Sequence, residues 1–64
     1  MTLAMLFRVL FDTQQISLQF LNDEKILWTG IAHNIPIEYF DKLVVNVISF
    51  PISISATEIR IVIK

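Results

Sequence analysis

The sequence contains no cysteine and only one histidine, His33. Without cysteine there is neither a disulfide nor a thiolate metal site, and one imidazole excludes a multi-histidine site within a single chain. Metal sites made of oxygen ligands are not excluded by these counts. A chain of 64 residues buries only about 60% of the surface that its unfolded form exposes. Because disulfides are not available, we expect an efficient core or oligomerisation to supply the missing stability.

Glycine is almost as scarce, since Gly30 is the only one. The chain therefore has no glycine-rich phosphate loop and no Gly-x-Ser-x-Gly nucleophile elbow. Five hydroxyl residues that could suggest a nucleophile are interpreted as strand and turn residues: Ser17, Ser49, Ser53, Ser55 and Thr57.

Two small groups of residues suggest chemistry. His33 with Glu38 or Asp41 could do acid–base work, but a useful base needs a positioned partner and a pocket, and such short spacing more simply gives a local hydrogen bond or a surface histidine. Asp23-Glu24 could bind a hard cation, but calcium loops need several oxygen ligands at fixed spacing. We predict no enzymatic activity, no catalytic, cofactor-binding or metal-binding residue, and no cofactor.

Neither sign of charge dominates, with five basic and six acidic residues and a formal net charge of −1. Nucleic-acid binders usually carry a clustered basic surplus. Here the basic residues are scattered: Arg8, Lys25, Lys42, Arg60 and Lys64. The aromatic residues could include a platform on which bases stack, so a nucleic-acid-binding accessory role is kept as the alternative function.

Long hydrophobic runs are also missing. The longest uncharged run, Leu43 to Thr57, is interrupted by Pro51 and is shorter than the about 20 apolar residues that a spanning helix needs. Met1 to Phe11 is apolar but has neither a basic leader nor a cleavage site. We therefore expect no membrane segment and a cytoplasmic protein.

What the sequence has in abundance is alternation of apolar and polar residues, which is typical of strands. It predicts five strands, namely Leu3–Phe11, Gln15–Leu21, Ile26–Ala32, Leu43–Phe50 and Glu58–Lys64. The polar segment Asn22–Lys25 predicts a tight hairpin between the second and third strands. Gly30 indicates a bulge or a close backbone approach. Residues 51–57 are left open between a loop and an extension of the strand.

The segment Asn34–Lys42 changes period and predicts a short helix. Pro36 suits the first helical position, and Asn34 or Ile35 would be the N-cap, of which Asn34 is the better cap chemically. We expect Ile37 and Phe40 to face the sheet, with Tyr39 as a third candidate. The fold class is therefore α+β and mainly β, as one domain over residues 1–64. Its expected architecture is about five antiparallel strands, in a curled sheet or small open barrel, with one short helix between strands 3 and 4.

The stretch Trp28-Thr29-Gly30-Ile31-Ala32-His33-Asn34-Ile35-Pro36, followed by Val-rich and Ile-rich strands, resembles small uncharacterised proteins of phages and prophages of low-GC Gram-positive bacteria. The resemblance covers most of the chain, and it implies a compact β domain of mobile-element origin. It brings no activity, cofactor or binding residue with it.

The composition points to an interaction role. Hydrophobic residues make up 55% of the chain, above the about 45–50% of soluble domains. We expect one face of the sheet to form the core, while the other still carries Leu6, Leu10, Leu27, Ile31 and Val62. These features predict a non-catalytic, protein-interacting or self-associating module. A homodimer is the expected assembly, with a host or phage protein as a further partner.

Overall fold

The computed structural model describes all 64 residues. The chain forms, in order, helix α1 (Leu3–Phe7), strands β1 (Gln15–Phe20) and β2 (Ile26–Ile31), two 3-10 turns (Ala32–Asn34 and Ile37–Tyr39), and strands β3 (Val44–Ser53) and β4 (Ala56–Ile63). The mainly β character predicted from the sequence is confirmed.

The four strands form one open sheet in the order β2-β1-β4-β3. Two hairpins, β1–β2 and β3–β4, are antiparallel, but β1 and β4 run parallel at the centre. The expected five antiparallel strands are therefore wrong in number and in direction. A parallel pair needs a long crossover connection, and local alternation carries no information about which distant strands meet.

The predicted first strand is instead the helix α1 and the loop after it. Thr2 caps the helix, and its hydroxyl accepts a hydrogen bond of 3.4 Å from the Met5 N–H. Leu3 is fully buried, whereas Val9 is 77% exposed. The segment is so apolar that it fits a helical period as well as an alternating one, and the helical period determines which side chains are buried.

The predicted helix between strands 3 and 4 is also wrong in kind. The segment forms two separate 3-10 turns, and Pro36 lies between them in an extended conformation. Ile35 is buried and Ile37 is 83% exposed, contrary to the expectation for Ile37, while Phe40 packs on the core as expected. Because Pro36 is extended, the chain does not continue as one helix, and Ile35 rather than Ile37 reaches the core.

The last two strands are longer than predicted and close as a tight hairpin. Pro51 lies inside β3, opposite Thr57, and the chain turns at Ile54 and Ser55. The segment left open in the sequence is therefore an extension of the strand. A proline is tolerated there because β3 is an edge strand.

The core lies on one face of the sheet. It contains seven buried apolar side chains, Leu3, Ile16, Leu18, Ala32, Ile35, Ile61 and Ile63. The central strands β1 and β4 contribute four of them, and the helix and the 3-10 region contribute the rest. One layer of short elements thus covers one face of the sheet.

Two local predictions concern the first hairpin. Its tip, Asn22–Lys25, is exposed as expected, and Asn22 takes a left-handed φ of 69°, which asparagine tolerates well. Gly30 is a site of close approach: a Cβ there would lie 2.8 Å from the Trp28 ring. The bulge of this hairpin lies elsewhere, at Leu18/Gln19.

Candidate interaction surface

The residues that suggested chemistry are not brought together. His33, Glu38 and Asp41 are all exposed, and none of their side chains makes a hydrogen bond or an ion pair. The Asp23 carboxylate accepts the Lys25 N–H at 3.0 Å, which closes the hairpin tip. No group of three or more acidic or histidine side chains is placed to hold a metal ion.

A single shallow depression, of about 270 Å³, lies between the loop before β1 and the tip of the β3–β4 hairpin. Phe11, Gln14 and Thr57 are among the side chains that line it. None of its lining residues is charged, so it offers no acid, base or ligand cluster.

The four strands contain only two charged residues, Glu58 and Arg60, both on β4. Ser17 of β1 joins them: its hydroxyl accepts a hydrogen bond of 3.2 Å from Arg60 Nε and donates one of 3.1 Å to Glu58 Oε2. The guanidinium and the carboxylate also pair directly at 3.6 Å. Ser17 is 2% exposed, and no buried side-chain polar atom in the molecule lacks a partner. The two charges therefore compensate each other within the chain.

This polar cluster lies on the side of the sheet opposite the core. Arg60 is stacked over the Phe50 ring, with its guanidinium carbon 4.6 Å from the ring centre. The register places Ile48 beside Arg60, and Val62 two residues further along β4. We call this side of the sheet, with Ser17, Ile48, Phe50, Glu58, Arg60, Val62 and Ile31, the open face.

No helix or 3-10 turn covers the open face. Its apolar side chains Ile31, Ile48, Phe50 and Val62 neither belong to the core nor pack against it. Ile48 and Phe50 are 37% and 38% exposed. On β3 and β4 the open face thus has an apolar strip of Ile48, Phe50 and Val62 beside the neutral polar cluster, and on β1 it also carries Gln15 and Gln19.

Strand β3 also exposes apolar side chains along most of its length. These are Val45, Val47, Ile48, Phe50 and Ile52, and they are followed by Ile54 at the hairpin turn. We call this set the β3 surface. Its residues belong to the longest uncharged run of the sequence, so no lysine or acidic side chain interrupts it. Exposed edge strands usually carry such charges.

Along the outer edge of β3, several backbone N–H groups already have hydrogen-bond partners, although the side chains of the strand are exposed. At its start, the Val44 N–H donates to the Met1 carbonyl at 2.8 Å, and Thr2 forms a bridge with Leu43. Further along, the Asn46 side-chain oxygen accepts the Val47 N–H at 2.9 Å. These contacts occupy the donors with which another strand would first pair.

Pro51 closes the same edge near the hairpin end. The carbonyl of its partner Thr57 accepts a bond of 2.6 Å from the Gln14 side chain on the β1 side. Because the Thr57 carbonyl points away from β3, Pro51 and Thr57 form a non-hydrogen-bonded pair. In such a pair the backbone N and C=O of the β3 residue point to the outer edge. Proline has no N–H to present there. Between Val47 and Pro51, only Ser49 keeps a free outward N–H.

The sequence identified the second apolar face only in part. Ile31 and Val62 lie on the open face as expected. Leu6 and Leu10, however, pack against the core from α1 and the loop after it. Trp28 is half-buried and packs on the core. The Ser17–Glu58–Arg60 cluster was missed because it depends on the parallel pairing of β1 with β4, for which the sequence carries no local signal.

No helix of the molecule is long and apolar enough to cross a membrane. Comparison with protein-family models, curated proteins and solved structures finds no match to this chain.

Proposed function

We propose that this chain is a non-catalytic protein-interaction module that binds its partners through the β3 surface. The observation that carries the proposal is the continuous exposure of apolar side chains along β3, with Ile52 57% exposed and Ile54 fully exposed. Soluble monomers rarely expose contiguous apolar patches larger than a few hundred Å². A protein partner covers such side chains and gains the hydrophobic free energy of their burial.

The chemistry of the surface favours a protein over a nucleic acid. The strands carry one positive and one negative side chain, which pair with each other. A phosphate backbone would meet no basic cluster, although neutralisation of phosphates supplies most of the affinity of such complexes. Five of the seven aromatic side chains pack on the core, and Phe50 is stacked under Arg60. The resemblance to phage and prophage proteins suggests the setting, a bacterial cytoplasm in which host and phage proteins meet.

Photo-crosslinking in living cells tests the proposal. Ile52 is replaced by p-benzoylphenylalanine, and the matched control carries the same replacement at Ile37, an exposed isoleucine on the second 3-10 turn. We expect discrete protein adducts from position 52 and none from position 37. The same adduct pattern from both positions would contradict the proposal. Adducts that a nuclease removes would establish the nucleic-acid alternative instead.

A further inference from the structure

The open face and the closed edge of β3 together restrict how a partner docks. An incoming strand would find one free N–H between Val47 and Pro51, because the Asn46 side chain occupies the first donor and proline removes the last. Binding by strand addition draws its affinity from main-chain hydrogen bonds. The outer edge of β3 therefore favours docking through side chains over extension of the sheet.

Charge indicates what kind of surface fits the open face. Glu58 and Arg60 are its charged groups within the strands, and they are equal and opposite. A surface of this kind does not repel a copy of itself, since a two-fold axis can bring the carboxylate of one chain near the guanidinium of the other. Arginine and aromatic residues, here the stacked Arg60 and Phe50, are enriched at protein interfaces.

The size of the molecule agrees with this fit. Its Cα trace extends 32 × 25 × 17 Å. Because the broad side is bounded by 32 by 25 Å, a face-to-face contact covers at most about 800 Å² per chain, which is about what each partner contributes to a standard interface. A second copy that covers most of the open face would form an isologous interface close to this size.

We infer that the partner bound through the β3 surface is a second copy of the chain. The open faces of the two copies pack against each other around Phe50 and Ile48. The inference rests on the proposed function and adds to it the partner and the side of the sheet. In the dimer the two sheets lie about 10 Å apart, as in other sheet-on-sheet packings. The apolar strips of the two chains then cover each other.

Sedimentation equilibrium over a range of concentrations tests the inference. We expect the wild-type chain to reach twice its 7.4 kDa mass. Phe50→Thr and Ile48→Thr, each on the open face, should raise the dimer dissociation constant at least about tenfold. The matched control is Ile37→Thr, because Ile37 is an exposed isoleucine on the second 3-10 turn, outside both the open face and the β3 surface. It should leave the dissociation constant within about twofold, the change expected of a contact outside an interface.

Circular dichroism and urea unfolding of each variant separate loss of association from loss of the fold, and only the folded variants are compared. A wild-type chain that stays monomeric overturns the inference, while adducts with another protein at position 52 would still support the proposed function. An equal loss of the dimer in Ile37→Thr and Phe50→Thr would also overturn it, because the open face would then not be the interface.

Discussion

Ser17 of β1 and Glu58 of β4 are 41 residues apart in the chain, and the hydroxyl of the first donates a hydrogen bond of 3.1 Å to the carboxylate of the second. The same hydroxyl accepts the Arg60 Nε hydrogen bond at 3.2 Å. Ser17 is therefore the neutral link between two charges where β1 and β4 run parallel at the centre of the sheet, and it is almost fully buried.

Replacing Ser17 with alanine tests that link. We expect Ser17→Ala to lower the free energy of unfolding by about 1–2 kcal/mol, because two half-buried charged groups lose a hydrogen-bond partner. The control is Ser49→Ala, an exposed β3 serine whose side chain makes no hydrogen bond. It should change stability by less than about 0.5 kcal/mol. Urea unfolding measures both changes. Equal losses of stability in the two variants would show that the Ser17 hydrogen bonds do not contribute to the free energy of unfolding.

The N-terminal segment gives a second prediction, since a helix and a strand bury different residues there. Leu3 is fully buried and Met5 is 59% exposed, whereas a strand over Leu3–Phe11 would place Met5 in the core. We expect Leu3→Ala to cost about 2–5 kcal/mol, as for a buried leucine, and Met5→Ala less than about 0.5 kcal/mol. Thermal unfolding decides the matter. A larger loss of stability for Met5→Ala than for Leu3→Ala would favour a strand over Leu3–Phe11 instead of the helix.

This segment shows why the sequence predicted the fold only in part. Leu3, Leu6, Phe7 and Leu10 follow the i, i+3, i+4, i+7 spacing of a helix face, and all four belong to the core or pack against it. The same residues also fit an alternating pattern, because almost every position is apolar. Where polar residues separate apolar ones, as in Gln15–Phe20, the alternation predicted the strand well.

The interaction surface was less predictable for a different reason. The apolar character of β3 can be read from the sequence, but the side of the sheet that stays uncovered depends on where α1 packs. The cluster of Ser17, Glu58 and Arg60 depends on the pairing of β1 with β4. Both are long-range relationships, and neither leaves a local pattern.

A third prediction concerns Gly30, whose backbone has a negative φ and so accepts any residue in principle. A Cβ at this position would lie 2.8 Å from the Trp28 ring, so the ring would have to shift from its position against the core. We expect Gly30→Ala to lower the free energy of unfolding by about 1–3 kcal/mol, the usual cost of overpacking. Tryptophan fluorescence should shift to the red in the native state.

The double variant isolates this contact. In a Trp28→Ala background the ring is gone, and Gly30→Ala should cost less than it does in the wild type, with a coupling of about 0.5–3 kcal/mol between the two positions. If alanine at position 30 costs the same in both backgrounds, the close approach of the ring is not the reason for the glycine.

The fourth prediction addresses the outer edge of β3. Its protection depends on the Asn46 side chain, which accepts the Val47 N–H, and on Pro51, which has none to offer. In Asn46→Val combined with Pro51→Val, outward N–H groups would be free at positions 47, 49 and 51, in the regular spacing that another strand needs. An uncharged apolar edge with a free backbone is a template for edge-to-edge assembly. We expect the double variant to form assemblies that bind thioflavin T at concentrations where the wild type does not.

The control for that experiment is Ser49→Val, which makes β3 more apolar but adds no backbone donor. It separates the effect of a free edge from that of hydrophobicity, because both variants raise the β propensity of the strand. Assembly of the double variant alone would assign the protection to Asn46 and Pro51. Assembly of Ser49→Val to the same extent would show instead that side-chain polarity, and not the occupied backbone, keeps the edge of β3 from pairing.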